Sequence, residues 1–131
     1  MNDETFKKLL EEVKWLDADM CGKDFLLTWE KGINELRQIL YVAEALKFLR
    51  DNNISTRCFD SGLAVSLSRN KSTQTRFSFA SAANLLGLTV QELDESKSRM
   101  AHDKTVREII NMTSFLTDIF GICDYIYQGA W

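Results

Sequence analysis

Residues 71–86 read K-S-T-Q-T-R-F-S-F-A-S-A-A-N-L-L, and the order of residue types in this stretch sets the expected fold class. Ser72 and Thr73 are N-cap types placed between an apolar run that ends near Leu67 and a segment of small and aromatic residues. That pattern predicts a strand, a tight turn and a helix start. At a helix start the first backbone N–H groups lack intrahelical acceptors and the dipole adds partial positive charge, so an anion is favoured there. The hydroxyls of Ser72, Thr73 and Thr75, with the cations Lys71 and Arg76 beside them, complete a cradle for a phosphate-sized group. Helix capping alone accounts for the same Ser-Thr pair, so this pattern leaves both readings open.

On the N-terminal side, Arg57 to Phe59 and then Leu63 to Leu67 form a short apolar stretch with little polar alternation, as in a parallel strand buried on both faces. On the C-terminal side the helix is expected to run to Leu86, with Gly87 as its C-cap. Ala80, Ala82 and Ala83 would let it pack close to a sheet, flanked by Phe77 and Phe79. A second strand is expected over 88–93, interrupted by Gln91 and Glu92, and a polar loop over 94–104. Val106, Ile109, Ile110, Met112, Phe115, Leu116 and Ile119 then recur at helical spacing, and a last strand is expected over 122–127.

Two helices precede this core. Phe6, Leu9, Leu10, Val13 and Leu16 predict an amphipathic helix over 3–18, ended by Cys21-Gly22, whose apolar stripe is expected to cover the domain's own sheet. Leu36, Ile39, Leu40, Ala43, Leu46, Phe48 and Leu49 predict another over 34–50, stopped by Asp51-Asn52-Asn53, with Trp29 before it read as a core residue. Strands alternating with helices predict an α/β fold, a parallel sheet with flanking helices. In such sheets ligands sit at the carboxyl ends of the strands, where the turn at 68–73 falls.

The chain has 131 residues, enough for one domain with a real core. A net charge of −3 argues against nucleic acid as a partner, since such binders need a basic face. No apolar run is long enough to span a bilayer, and the polar start is no signal peptide, so the expected location is cytoplasmic. Cys21, Cys58 and Cys123 are widely spaced with no C-x-x-C pair, and His102 is the single histidine. Neither a disulfide framework, a metal site nor a cofactor is expected from that set.

The stretch 71–86 and its flanks resemble the carbamoyl-phosphate-binding motif of the aspartate/ornithine carbamoyltransferase family, usually S-T-R-T-R-F-S-F or similar. The likeness runs from about Lys23 to the C-terminus. It includes D-F-L-L-T-W-E (24–30), S-G-L-A-V-S-L (61–67), A-N-L-L-G-L (83–88) and K-S-x-x-A-H-x-x-T-V-R-E (97–108). These pieces most resemble a branch whose amino-acid substrate is not settled. The resemblance implies a single, incomplete carbamoyl-phosphate-binding domain over 1–131. It lacks its last strand and helix, and the second, amino-acid-binding domain. It also implies a homo-oligomer, a trimer in the family.

The resemblance assigns carbamoyl phosphate to Ser72, Thr73, Gln74, Thr75 and Arg76, through backbone amides, hydroxyls and, in the family, an arginine where this chain has Gln74. A second family arginine aligns with Cys123. Two lost charge-assisted contacts cost about 3–6 kcal/mol of binding. Ser98 and His102 match residues of a loop that reaches the neighbouring subunit's active site, although Asp103-Lys104 stands where the family has Gly-Glu. The family's His-Pro-x-Gln motif cannot occur, because the chain has no proline. No catalytic residue is therefore expected here, and the chain alone is expected to be inactive. Two further readings stay open, an interaction module that keeps the trimer surface without the chemistry, and a folded remnant with neither property. Elements missing after Trp131 would leave a sheet edge uncovered, which predicts self-association.

Overall fold

The computed structural model describes residues 1–68, 73–94 and 106–123, and the chain divides into two compact units, Met1–Thr56 and Arg57–Trp131.

The first unit is a helical pair. Helix α1 (Asp3–Trp15) begins where Asn2 Oδ1 accepts hydrogen bonds from the Thr5 backbone N–H and hydroxyl, each at 2.8 Å. Asp3 and Glu4 at its start and Lys14 at its end complement the dipole. It stops three residues short of the expected end. Leu16 turns extended, and the Asp19 carboxylate caps the Cys21 N–H in a local turn of its own. Helix α2 (Ile33–Asp51) follows a 3₁₀ turn, Thr28–Glu30. Asn53 ends it in the left-handed region, φ 57°, while the Ile54 and Asn53 N–H groups close on the Leu49 and Arg50 carbonyls. The apolar stripe of α1, expected on the sheet, meets α2 within this unit, where Phe6 stacks on Phe48 with centroids 4.4 Å apart. Trp29, expected in a core, is 79% exposed.

The second unit carries the sheet. Strand β1 (Leu63–Ser68), helix α3 (Thr73–Leu86), strand β2 (Thr89–Asp94), helix α4 (Val106–Ser114) and strand β3 (Ile119–Cys123) follow in order. The strand order is β2-β1-β3, and both pairings are parallel. The central position of β1 explains its composition: Ala64, Val65, Ser66 and Leu67 are all buried, so both faces of the strand are covered. Alternation puts Ala64 and Ser66 on one face. Ala64 packs there with Ala83, Leu88, Phe79 and Val90, which identifies it as the α3 face.

Asp118 fixes the neighbouring strand ends. Its carboxylate accepts the Leu63 N–H at 2.8 Å and its own N–H donates to the Leu63 carbonyl at 2.9 Å. Pairing of Ile119 with Ala64 takes Ile119 into β3, whereas helical spacing had predicted it as the last turn of a helix. Residues 57–59, expected with the strand, instead lie alongside the end of α3, where the Phe59 N–H donates to the Leu86 carbonyl at 3.0 Å. Ala82 and Phe77, expected at the sheet, are exposed. Phe79 does make the contact.

That contact depends on Gly121. A Cβ at Gly121 would stand 2.5 Å from Phe79 Cε2, so the ring occupies the space that a side chain would need. Gly121→Val is expected to destabilise the protein by about 1–3 kcal/mol through overpacking. Phe79→Leu in the same chain should recover part of the loss in urea unfolding, because it removes the opposing ring atoms. Among the described residues no helix is long and apolar enough to cross a membrane.

Candidate anion-binding site

Helix α3 starts at Thr73, shortly after the carboxyl end of the central strand at Ser68. The parallel register sets Asp94 on one side of Ser68 and Cys123 on the other, so all three strands finish at the same edge. The backbone N–H groups of Thr73, Gln74, Thr75 and Arg76 form the first turn, which by helix geometry has no intrahelical acceptors. Thr73, Gln74 and Thr75 are exposed, and Arg76 is half-buried. The first turn is therefore at the surface from Thr73 to Thr75, positively polarised and placed at the edge where parallel sheets bind ligands. Ser78 Oγ donates to the Gln74 carbonyl at 2.8 Å, a bond within the helix that leaves the Gln74 side chain outside it.

Arg76 has a definite partner. Its Nη2 lies 2.7 Å from Glu92 Oε2, joining α3 to β2. Both side chains are about two-fifths exposed, at 41% and 39%, so solvent screening holds the contribution of the pair to about 1 kcal/mol or less. Its larger effect is geometric, because it fixes the guanidinium beside the first turn. The sequence signal for it was Glu92 itself, a charge inside an otherwise strand-like run.

Thr73, Gln74, Thr75 and Arg76 are thus brought together at the helix start. Ser72, Ser98 and His102, the other expected site residues, lie outside the described residues. Cys123, at the position of the expected second arginine, has its backbone at the carboxyl end of β3 opposite Ser68.

Comparison with known proteins gives this geometry a context. Residues 23–127 match the aspartate/ornithine carbamoyltransferase, carbamoyl-P binding domain. Over 126 residues the chain is 55% identical to "Putative carbamoyltransferase YgeW" of Escherichia coli (strain K12), covering 96% of this chain and 32% of that protein. It is 27% identical over 111 residues to the catabolic ornithine carbamoyltransferase of Treponema denticola, covering 84% of this chain and 33% of the relative. Among solved structures, the ornithine carbamoyltransferase from Pyrococcus furiosus superposes with a TM-score of 0.78 at 20% identity, covering 86% of this chain and 36% of that one. The catalytic subunit of M. jannaschii aspartate transcarbamoylase gives 0.63 at 21% identity, over 75% of this chain and 32% of that one. The chain spans about a third of the length of the curated relatives it matches.

Proposed function

The chain belongs to the aspartate/ornithine carbamoyltransferase family through its carbamoyl-P binding domain, and we propose that it holds carbamoyl phosphate, or a phosphate-type anion, at the start of α3. The groups assigned to this role are Ser72, Thr73, Gln74, Thr75 and Arg76. The observation that carries the proposal is the exposed first turn of α3 at the carboxyl end of a central parallel strand, within a match to that domain. In carbamoyl transfer an amine attacks the carbamoyl carbon and phosphate leaves. A helix start that binds the phosphate stabilises the leaving group as charge builds on it.

The same proposal limits what the chain does alone. Transfer needs an oriented acceptor in a site closed to water. The family match, over residues 23–127, is to the carbamoyl-P binding domain, and the chain spans about a third of the length of its relatives. The isolated chain is proposed to bind without turning over.

Titration with inorganic phosphate and with carbamoyl phosphate, followed by ¹H–¹⁵N NMR, tests this. Saturable shifts are expected at the amides of residues 72–76, weakening as salt is added because exposed charges are screened. No shift there at millimolar ligand would remove the proposal.

Homo-oligomerisation, with Ser98 and His102 serving a neighbouring subunit, is proposed alongside it. The exposure of Phe115 (90%) and Leu116 (75%), just before β3, supports a further contact surface. Light scattering checks this part, and a strict monomer across the accessible concentration range would exclude it.

A further inference from the structure

The register partners Glu92, Ser66 and Gly121 form a row across β2, β1 and β3. Ser66 lies on the α3 face, two residues along from Ala64, and is only 7% exposed. Among the described residues its hydroxyl has no hydrogen-bond partner. A hydroxyl this deeply buried calls for a hydrogen-bond partner, and native interiors rarely leave one without. Its surroundings show what could compensate. Ser66 lines a cavity of about 100 Å³ with Thr75, Arg76 and Phe79 of α3 and with Gly121 of β3.

The character of the walls restricts the occupant. Most of the lining is carbon, and Leu67, Phe79 and Ile122 are its apolar residues. Among the described lining residues Arg76 is the ionic one, and it meets the Glu92 carboxylate at 2.7 Å, so the pair together adds little net charge to the cavity. A serine hydroxyl donates one hydrogen bond and accepts up to two, so it is best matched by a head group that does both. Size sets the rest: a cavity of roughly 150 Å³ holds benzene, so one a third smaller suits about four or five non-hydrogen atoms.

We propose that this cavity is a binding site for a small neutral molecule with a hydroxyl or amide head and a short apolar body. The head group pairs with Ser66 Oγ and the body lies against Phe79. The cavity borders the proposed anion site, sharing Thr75 and Arg76 with it, but reaches the sheet face beneath α3 at Ser66 and Gly121 and does not use the amides of the helix start.

Propionamide is the probe, titrated into the full 131-residue chain and followed by backbone and aromatic NMR, with propionate as its charged isostere. Saturable shifts are expected at the Ser66 and Gly121 amides and the Phe79 ring, with a Kd of roughly millimolar order for so small a ligand. Propionate should bind several-fold more weakly. Ser66→Ala should weaken propionamide about three- to tenfold, the worth of one neutral hydrogen bond. The same variant should raise the Tm of the unliganded protein, because it removes a buried hydroxyl with no partner. A Ser66 that merely held the fold together would lower it.

The proposal is overturned by an absence of saturable shifts at these three residues, as a cavity holding only water would give. It is also overturned by an unchanged affinity in Ser66→Ala, or by a fall in that variant's Tm. Inorganic phosphate serves as the separating arm. Shifts at 72–76 without propionamide shifts would leave the anion site standing and remove this one, and the reverse pattern would do the opposite.

Discussion

Gln74→Arg tightens the binding of carbamoyl phosphate by roughly one to two orders of magnitude. Gln74 is the second residue of α3 and is exposed, so a guanidinium placed there need not be buried. A charge-assisted hydrogen bond contributes about 1.5–3 kcal/mol, which sets the size of the gain. A cation in the first turn opposes the helix dipole, so the unliganded variant should lose about 0.3–1 kcal/mol of stability. Tighter binding and a slightly lower Tm are therefore expected in the same protein. Gln74→Lys should recover less affinity, since an ammonium lacks the planar fork that engages two oxygens together. Titration calorimetry at fixed ionic strength measures all three proteins. Equal affinities would place the anion away from residue 74 and count against the assigned site.

Gly87→Ala destabilises the protein by about 2–4 kcal/mol, combining backbone strain with a steric clash. Gly87 sits at φ 101°, where side-chain-bearing residues are strained. Its N–H and that of Leu88 close α3 on the Asn84 and Ala83 carbonyls, the paired bonds of a Schellman ending. A Cβ at this position would run into the Phe59 carbonyl oxygen, which is backbone and cannot rotate aside. Relief would have to move residues 57–59 or the end of α3, and Leu88, which follows directly, is buried in the core cluster. Thermal and urea unfolding measure the loss. Gly22→Ala is the matched control, because Gly22 also has positive φ, at 70°, but a methyl group there would meet nothing within 4 Å. It should cost about 1–2 kcal/mol from conformation alone. Equal losses at the two glycines would show that the Phe59 contact carries no weight.

These two residues also mark how far the amino-acid order was readable. Gly87 was legible as a helix stop, and a helix start was legible near Thr73, because both depend on a few neighbouring residues. The apolar run through Leu67 was legible as a doubly buried strand for a similar reason, since no face of it could tolerate water. Resemblance, more than spacing, singled out Gln74 and Cys123 as departures from a binding pattern. Spacing failed where one residue suited two conformations. Ile119 continues the helical period of Val106 to Leu116, yet it pairs with Ala64 in the sheet. Phe77 and Phe79 look equivalent in the chain, but Phe79 packs on the core while Phe77 is 67% exposed.

Local chemistry, carried in the chain from the first residue onward, was enough to establish an α/β class, the kinds of element and a helix start near Thr73. Assembly alone settled that Glu92 meets Arg76 across 16 residues, that Asp118 holds Leu63, and that Ser66 faces a cavity beside Gly121. Periodicity reports which conformation hides apolar atoms from water. Which polar groups then become neighbours depends on the register of parallel strands, and that register exists only once the crossovers have brought distant segments side by side.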